Sequence, residues 1–151
     1  MLRTRSVAIA TAVAAAAGFA LLPAAPAQAA GSVHLYKIYY DSPGTDRGAN
    51  SSLNAEYVVV RNTTGAAVSL RGWTLTDASH HTYVFGAFTL GKGKTVTIRT
   101  GKGTNTAGYL HQGRSWYVWN NDKDTATLKR ANGTRVDTCS YNSTRVDYTM
   151  C

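Results

Sequence analysis

Glu56 is the only glutamate in the 151-residue chain. In the extended run from Ala55 to Asn62 it shares a face with Val58 and Val60, while Tyr57, Val59 and Arg61 take the other. A carboxylate on an apolar face must be hydrogen-bonded or paired. Two roles suit it. One is hydrolysis of a sugar, which needs a second carboxylate at a set separation. Asp41, Asp46 and Asp77 are available, but no spacing selects a partner. The other is structural, a carboxylate tying a loop to the end of a sheet, and this is the simpler assignment. Other chemistries lack their residues. There is no Gly-x-Ser-x-Gly elbow and no His-Glu-x-x-His. Adjacent His80 and His81 point to opposite faces of an extended chain and cannot readily share a metal. Gly86 to Lys92 spells Gly-x4-Gly-Lys, but Gly93 replaces the magnesium-ligating Ser or Thr, and a strand pattern follows where a helix is needed. Asp41, Asp46, Asn50, Asn54 and Glu56 offer hard oxygen ligands for calcium without the spacing of an EF-hand, so a solvated loop with Asx-turns is the simpler account. No catalytic residue and no cofactor is assigned.

Charge gives a more definite pointer. The formal net charge is +8. The 44 residues between Asp77 and Asp122 contain no acid, yet hold Lys92, Lys94, Arg99, Lys102 and Arg114 with His80, His81 and His111. A basic surface with Tyr109, Trp116 and Tyr117 close by in sequence suits a polyanion: nucleic acid, teichoic acid or an acidic polysaccharide. A merely solubilising charged face is the alternative. A third possibility is carbohydrate binding through Trp116, Tyr117 and Trp119, if these form an exposed coplanar row.

These residues must be held by strands, because no long segment has helical periodicity. Strand signals fall at Val33–Tyr40, Ala55–Asn62, Ala67–Leu70, Gly72–Thr76, Thr82–Phe85, Lys94–Thr100, Tyr117–Trp119, Thr125–Lys129 and Arg135–Cys139, with Phe88 and Leu90 bracketing Thr89 before a turn. Trp73 with Leu75, Val96 with Ile98, and Ala126 with Leu128 alternate inward. Asp41–Ser52 and Gly101–Gly113 read as polar loops. Asn132-Gly133 is a strong hairpin signal and predicts a type I′ turn with positive φ at both residues. About eight or nine short strands indicate an all-β sandwich or barrel.

The N-terminus reads differently. Arg3 and Arg5 precede an apolar run from Val7 to Leu22, then Pro23, Pro26 and Ala27-Gln28-Ala29. This predicts a secretory signal peptide over residues 1–29, a domain over residues 30–151 and an extracellular destination, with no transmembrane segment in the mature chain. The apolar content of 44% is inflated by this leader, and 14 basic against 8 acidic residues leave +6 on the remainder. Cys139 and Cys151 are the only cysteines, and an even count in an exported chain predicts one disulfide. It closes a short loop and pins the C-terminal tail, worth about 3 kcal/mol in the chain-entropy model.

Several runs resemble the lamin tail domain family. They are Asn54–Thr63, Val68–Asp77, Phe88-Thr89-Leu90 with the following Lys94–Thr100 strand, Val118–Asn121 with Asp124–Leu128, and Gly133 with Val136-Asp137. In order, they span about residues 31–141. The resemblance implies an immunoglobulin-like β-sandwich acting as an interaction module, with no general catalytic residues to transfer. In bacteria such modules are secreted alone or attached to nucleases and other surface enzymes. It makes Trp73 a sandwich-core residue, with Gly72 allowing close backbone approach; Glu56, by its apolar face, and Asn132 and Gly133, by their hairpin signal, are also assigned structural roles. The expected function is therefore a secreted, bacterial, non-catalytic binding or structural module, with Lys92, Lys94, Arg99, Lys102 and Arg114 as its contact residues. A small hydrolase using Glu56 and a loop aspartate, or a carbohydrate-binding module, is the alternative.

Overall fold

The computed structural model describes residues 30–151. The expected leader, residues 1–29, lies outside the described residues. Apolar alternation with period two builds two sheets that bury their facing sides. The strands are β1 (Val33–Tyr39), β2 (Tyr57–Asn62), β3 (Val68–Ser69), β4 (Thr74–Thr76), β5 (Thr82–Val84) and β6 (Thr89–Leu90), followed by β7 (Thr95–Arg99), β8 (Tyr109–His111), β9 (Lys123–Lys129), β10 (Arg135–Asn142) and β11 (Tyr148–Met150). One sheet runs β11-β1-β2-β7-β8 and the other β10-β9-β4-β5, with β3 and β6 forming a short separate pair. All pairings are antiparallel except β7 with β8. This is an immunoglobulin-like β-sandwich.

Leu35, Ile38, Val58, Val60, Val96, Ile98 and Leu110 fill the core from the first sheet. Leu75, Ala126, Leu128, Cys139 and Tyr141 meet them from the second. Trp73 and Trp119 belong to the same core, both buried. Gly72 has φ +77, and a Cβ there would lie 3.0 Å from that of Ala131, so both the conformation and the close approach favour glycine. Tyr40 stacks on Tyr141 with ring centroids 3.8 Å apart. Their hydroxyls donate outward, to the carbonyls of Ser143 (3.0 Å) and Asn120 (2.6 Å), which lets both rings be buried without an orphaned O–H.

The apolar spacing in β1 is irregular: Val33, Leu35, Ile38 and Tyr40 all face inward. An extra residue is accommodated between Leu35, which pairs with Val60, and Lys37, which pairs with Val59. This β-bulge at Tyr36 resets the alternation. Tyr36, Lys37 and Tyr39 consequently all face away from the core.

Four sequence expectations are corrected. Tyr117–Trp119 is not a strand; it has no ladder partner, and the Val118 N–H bonds the Glu56 carboxylate instead. The Gly101–Gly113 loop contains β8, and the tail contains β11. Within Asp41–Ser52 begins a one-turn helix, α1 (Asn50–Leu53), anchored by buried Leu53. The Asn132-Gly133 turn is not type I′. Only Gly133 has positive φ (+85), and its N–H closes the turn on the Arg130 carbonyl at 2.9 Å, making Ala131 and Asn132 the central pair. The Asn132 side chain accepts the Thr134 N–H at 3.0 Å, an Asx contact that favours this longer loop with an αL glycine.

The Cys139–Cys151 disulfide is formed, with Cα atoms 5.7 Å apart. It joins β10 of one sheet to the end of β11 in the other. β11 is further held by pairing of Tyr148, Thr149 and Met150 with Tyr39, Ile38 and Lys37.

Candidate functional site

The outward face of the five-stranded sheet carries an ordered set of side chains. Register places Tyr148, Tyr39, Tyr57, Arg99 and His111 in one row, a residue from each of the five strands. A second row contains Met150, Lys37, Val59, Thr97 and Tyr109. Tyr57, Tyr39 and Tyr148 form a stacked ladder, with centroids 5.3 and 6.2 Å apart and planes inclined by 19° and 12°. The Lys37 ammonium lies 4.0, 5.4 and 5.9 Å from the rings of Tyr148, Tyr39 and Tyr57. Arg99 covers Tyr109 at 4.5 Å, and Arg61 covers Tyr36 at 5.3 Å. Such cation–π contacts hold cationic heads against the sheet, each worth about 0.5–1 kcal/mol at exposed sites.

The strand positions of this face carry charge of one sign, while Asp147 and, more weakly, Asp41 act on Tyr39 from outside them. None of the outward positions on its five strands is acidic. Asp147 lies at the rim, just before β11, and accepts a 3.5 Å hydrogen bond from the Tyr39 hydroxyl. Burial and then Asp147 raise the Tyr39 phenol above its ordinary value. Burial, followed by the Arg99 charge, lowers the His111 pKa below its ordinary value.

The five basic residues singled out from sequence are dispersed. Lys92 lies in the turn between β6 and β7, and Lys94 at the start of β7. Arg99 is at the opposite end of β7, on the aromatic face. Lys102 follows it, its backbone clasped by Asn50 and Asn54. Arg114 points elsewhere, donating to the Thr82 carbonyl at 3.1 Å. The face that forms adds Lys37, Arg61 and the tyrosines, which the acid-free stretch did not indicate. Alternation in β2 was the signal for the outward direction of Tyr57 and Arg61, but in β1 it would have pointed Lys37 and Tyr39 inward with Val33 and Leu35; the bulge at Tyr36 and the strand register that aligns these residues are set in three dimensions.

Glu56 is fully buried. Its Oε1 accepts the Thr100 hydroxyl at 2.6 Å and the Val118 N–H at 2.9 Å. The carboxylate thereby ties the end of β7 to the irregular segment leading into Trp119. Burial raises its pKa to about 7, against the lowering effect of these bonds. Sealed from solvent, it has no surface with which to meet a substrate, so its geometry is that of a structural strut.

The calcium set does not converge. Asn50 and Asn54 hold Lys102, Asp46 accepts from Asn121 at 2.8 Å, and Glu56 holds Thr100 and Val118. Among the described residues no group of three or more His, Cys, Asp or Glu could hold a metal ion. His80 and His81 also remain apart in role: His81 pairs with Asp77 at 2.7 Å, while His80 takes a turn conformation at φ +69.

A cleft of about 610 Å³ lies beside the 114–121 segment, lined by Asp46, His81, Arg114, Trp116, Tyr117 and Trp119 among others. Its aromatics do not make the coplanar row anticipated for a sugar platform. Trp116 is 61% exposed and meets Tyr117 edge-on at 76°, whereas Trp119 is 1% exposed and belongs to the core.

No helix among the described residues is long and apolar enough to cross a membrane. No curated protein gives a significant match to the chain. The family model described as Lamin Tail Domain matches residues 26–143, which takes in every strand except β11. With its immunoglobulin-like sandwich, the chain belongs to the lamin tail domain family.

Proposed function

We propose that this lamin-tail module is exported and, without chemistry of its own, binds an extracellular or cell-envelope polyanion through the outward face of its five-stranded sheet. The observation that carries this reading is the acid-free strand face on which Lys37, Arg61 and Arg99 are held over aromatic rings. Lys102 extends it beyond the end of β7, and Lys92 and Lys94 extend positive charge beyond the other end. Arg114 serves the neighbouring cleft. The family supports a non-catalytic immunoglobulin-like module. The disulfide is compatible with an oxidising exterior, and the expected leader at residues 1–29 supplies the route.

Passage of the protein over immobilised teichoic acid, nucleic acid and polyphosphate tests this reading. Retention at about 50 mM salt with release near 200 mM is the expected result, because neutralising several phosphates makes affinity fall steeply with salt. Absence of retention on every polyanion at the lower salt rejects it.

A further inference from the structure

We infer that the polyanion this face takes is a single-stranded nucleic acid, with its phosphates on Lys37, Arg61 and Arg99 and its bases against the exposed tyrosines around them. The inference rests on the polyanion reading and narrows it. The distinguishing feature is that cations and aromatic rings are interleaved on one face. Tyr36 (36%), Tyr109 (47%), Tyr148 (45%) and Met150 (50%) are four of the seven large apolar side chains exposed among the described residues, and all four lie on this face. An exposed apolar concentration of this kind marks a contact surface. Polyphosphate and polyol-phosphate polymers supply negative charge but nothing to stack on the tyrosines, whereas an acidic glycan can lay a sugar face on them but carries its charge on those same sugar rings and offers no aromatic base plane. A neutral glycan leaves the cations unused. A single strand supplies phosphates and unpaired bases together, the combination that suits a basic track studded with aromatics. A duplex hides its base faces in the stack.

The geometry suits an extended strand crossing the sheet. Five strands at about 4.8 Å spacing set Tyr148 on β11 and Tyr109 on β8 roughly 19 Å apart. The Tyr148–Tyr39–Tyr57 ladder forms the floor between them, with the Lys37 head on it. Tyr39 is flanked on both sides by its tyrosine neighbours. The rings with the most exposed surface are the peripheral ones, Tyr36, Tyr109 and Tyr148, each with a cation over part of it. Arg61 and Arg99, seated over Tyr36 and Tyr109, can pair with phosphate or present guanidinium planes to bases. β11 contributes Tyr148 and Met150 from outside the segment matched by the family, so part of this face is an addition beyond the matched segment.

Fluorescence anisotropy with a labelled oligothymidylate tests the inference against four competitors: an abasic strand of the same length, a duplex of the same length, polyphosphate and a neutral glucan. The oligothymidylate is expected to bind about tenfold or more tighter than the abasic strand or the duplex, with salt-sensitive affinity. Tyr109→Ala is expected to weaken oligothymidylate binding by about 5- to 100-fold and abasic binding by much less, the smaller loss coming from the Arg99 head that Tyr109 seats. Lys37→Gln is expected to lower the salt slope by about 0.7 for both strands. Equal affinity for the abasic strand and the oligothymidylate overturns the base contacts and leaves the polyanion reading standing. Tighter duplex binding, or salt-insensitive glucan binding, also overturns the inference. No binding to any anion at low salt rejects both readings. The oligothymidylate-to-abasic ratio of the unmodified protein decides the matter even if a variant fails to fold.

Discussion

Glu56 shows how one side chain can hold a junction and make stability depend on pH. Its pKa is raised by burial to about 7 from an ordinary value near 4.5. The folded state therefore holds this proton more tightly than the unfolded state. Its contribution is fully present below about pH 4.5 and is lost as pH rises through about 7. The span corresponds to about 3 kcal/mol. Denaturant melts at pH 5 and pH 8 are expected to show greater stability at the lower pH from this group. Glu56→Gln keeps an oxygen for Thr100 and Val118 and is expected to remove that component of the pH dependence. Glu56→Ala strands the buried Thr100 hydroxyl and Val118 N–H, and its melts are expected to show a loss of about 2–4 kcal/mol. A pH profile unchanged by Glu56→Gln rejects the assignment. The alternation with Val58 and Val60 made the residue's inward direction readable in sequence. Its partners were not readable, since Thr100 and Val118 are 44 and 62 residues away.

Asn62 belongs to the same scale and lacked any such signal. It lies buried at the end of β2 and donates to the carbonyls of Ala66, Leu90 and Gly91 while accepting from the Thr64 backbone and hydroxyl. In sequence it looks like one residue of an Asn-Thr-Thr-Gly turn. The fold makes it a clasp between that turn and β6. Asn62→Ala is expected to lower stability by about 3 kcal/mol in denaturant melts, because several buried polar groups lose their partner together.

At the scale of elements, β11 is the piece that departs most from the sequence-based expectation. A three-residue strand has little intrinsic stability, and this one depends on β1 along one side and on the disulfide at its end. The closed loop spans 12 positions from Cys139 to Cys151. Its removal in a Cys139→Ser, Cys151→Ser double variant is expected to lower stability by about 3 kcal/mol. Hydrogen exchange should show protection lost first at Tyr148–Met150. If exchange there is unchanged, the staple is not what holds the strand. Long strands were legible because they repeat the two-residue period several times, as in β2 and β7. The two- and three-residue strands carry too few periods to separate from loop, and Tyr117–Trp119 shows the converse error. Its aromatic, β-branched composition suited a strand, but its Val118 N–H is taken by the Glu56 carboxylate and not by a ladder. The turn at Asn132-Gly133 was placed correctly and given the wrong type, because the Asn side chain serves the backbone there instead of entering the left-handed region itself.

For the whole molecule, two sheets divide the work. The inner faces supply a continuous core, and the outer face of the larger sheet gathers cations that are scattered along the chain. Lys37, Arg61 and Arg99 come from β1, β2 and β7 and share one sheet face only through antiparallel register. Binding to an anionic polymer should therefore respond to single charge removals on this face. Lys92→Gln with Lys94→Gln, at the far end of β7, is expected to have a smaller effect on polyanion affinity than Arg99→Gln alone, measured by retention at matched salt. The opposite ranking would move the contact to the β6–β7 turn.

The sequence by itself determined the all-β class, the disulfide, the inward alternation of most long strands and the family. These depend on local period, residue type and ordered motifs, all of which survive projection onto one dimension. Tertiary structure decided which cations and aromatics share a surface. A strand's neighbour is chosen by hydrogen-bond register and by core packing across tens of residues, and a single bulge at Tyr36 turns Lys37 and Tyr39 outward. The acid-free stretch indicated positive charge, while the fold distributed its members and assembled a different face from β1, β2, β7, β8 and β11.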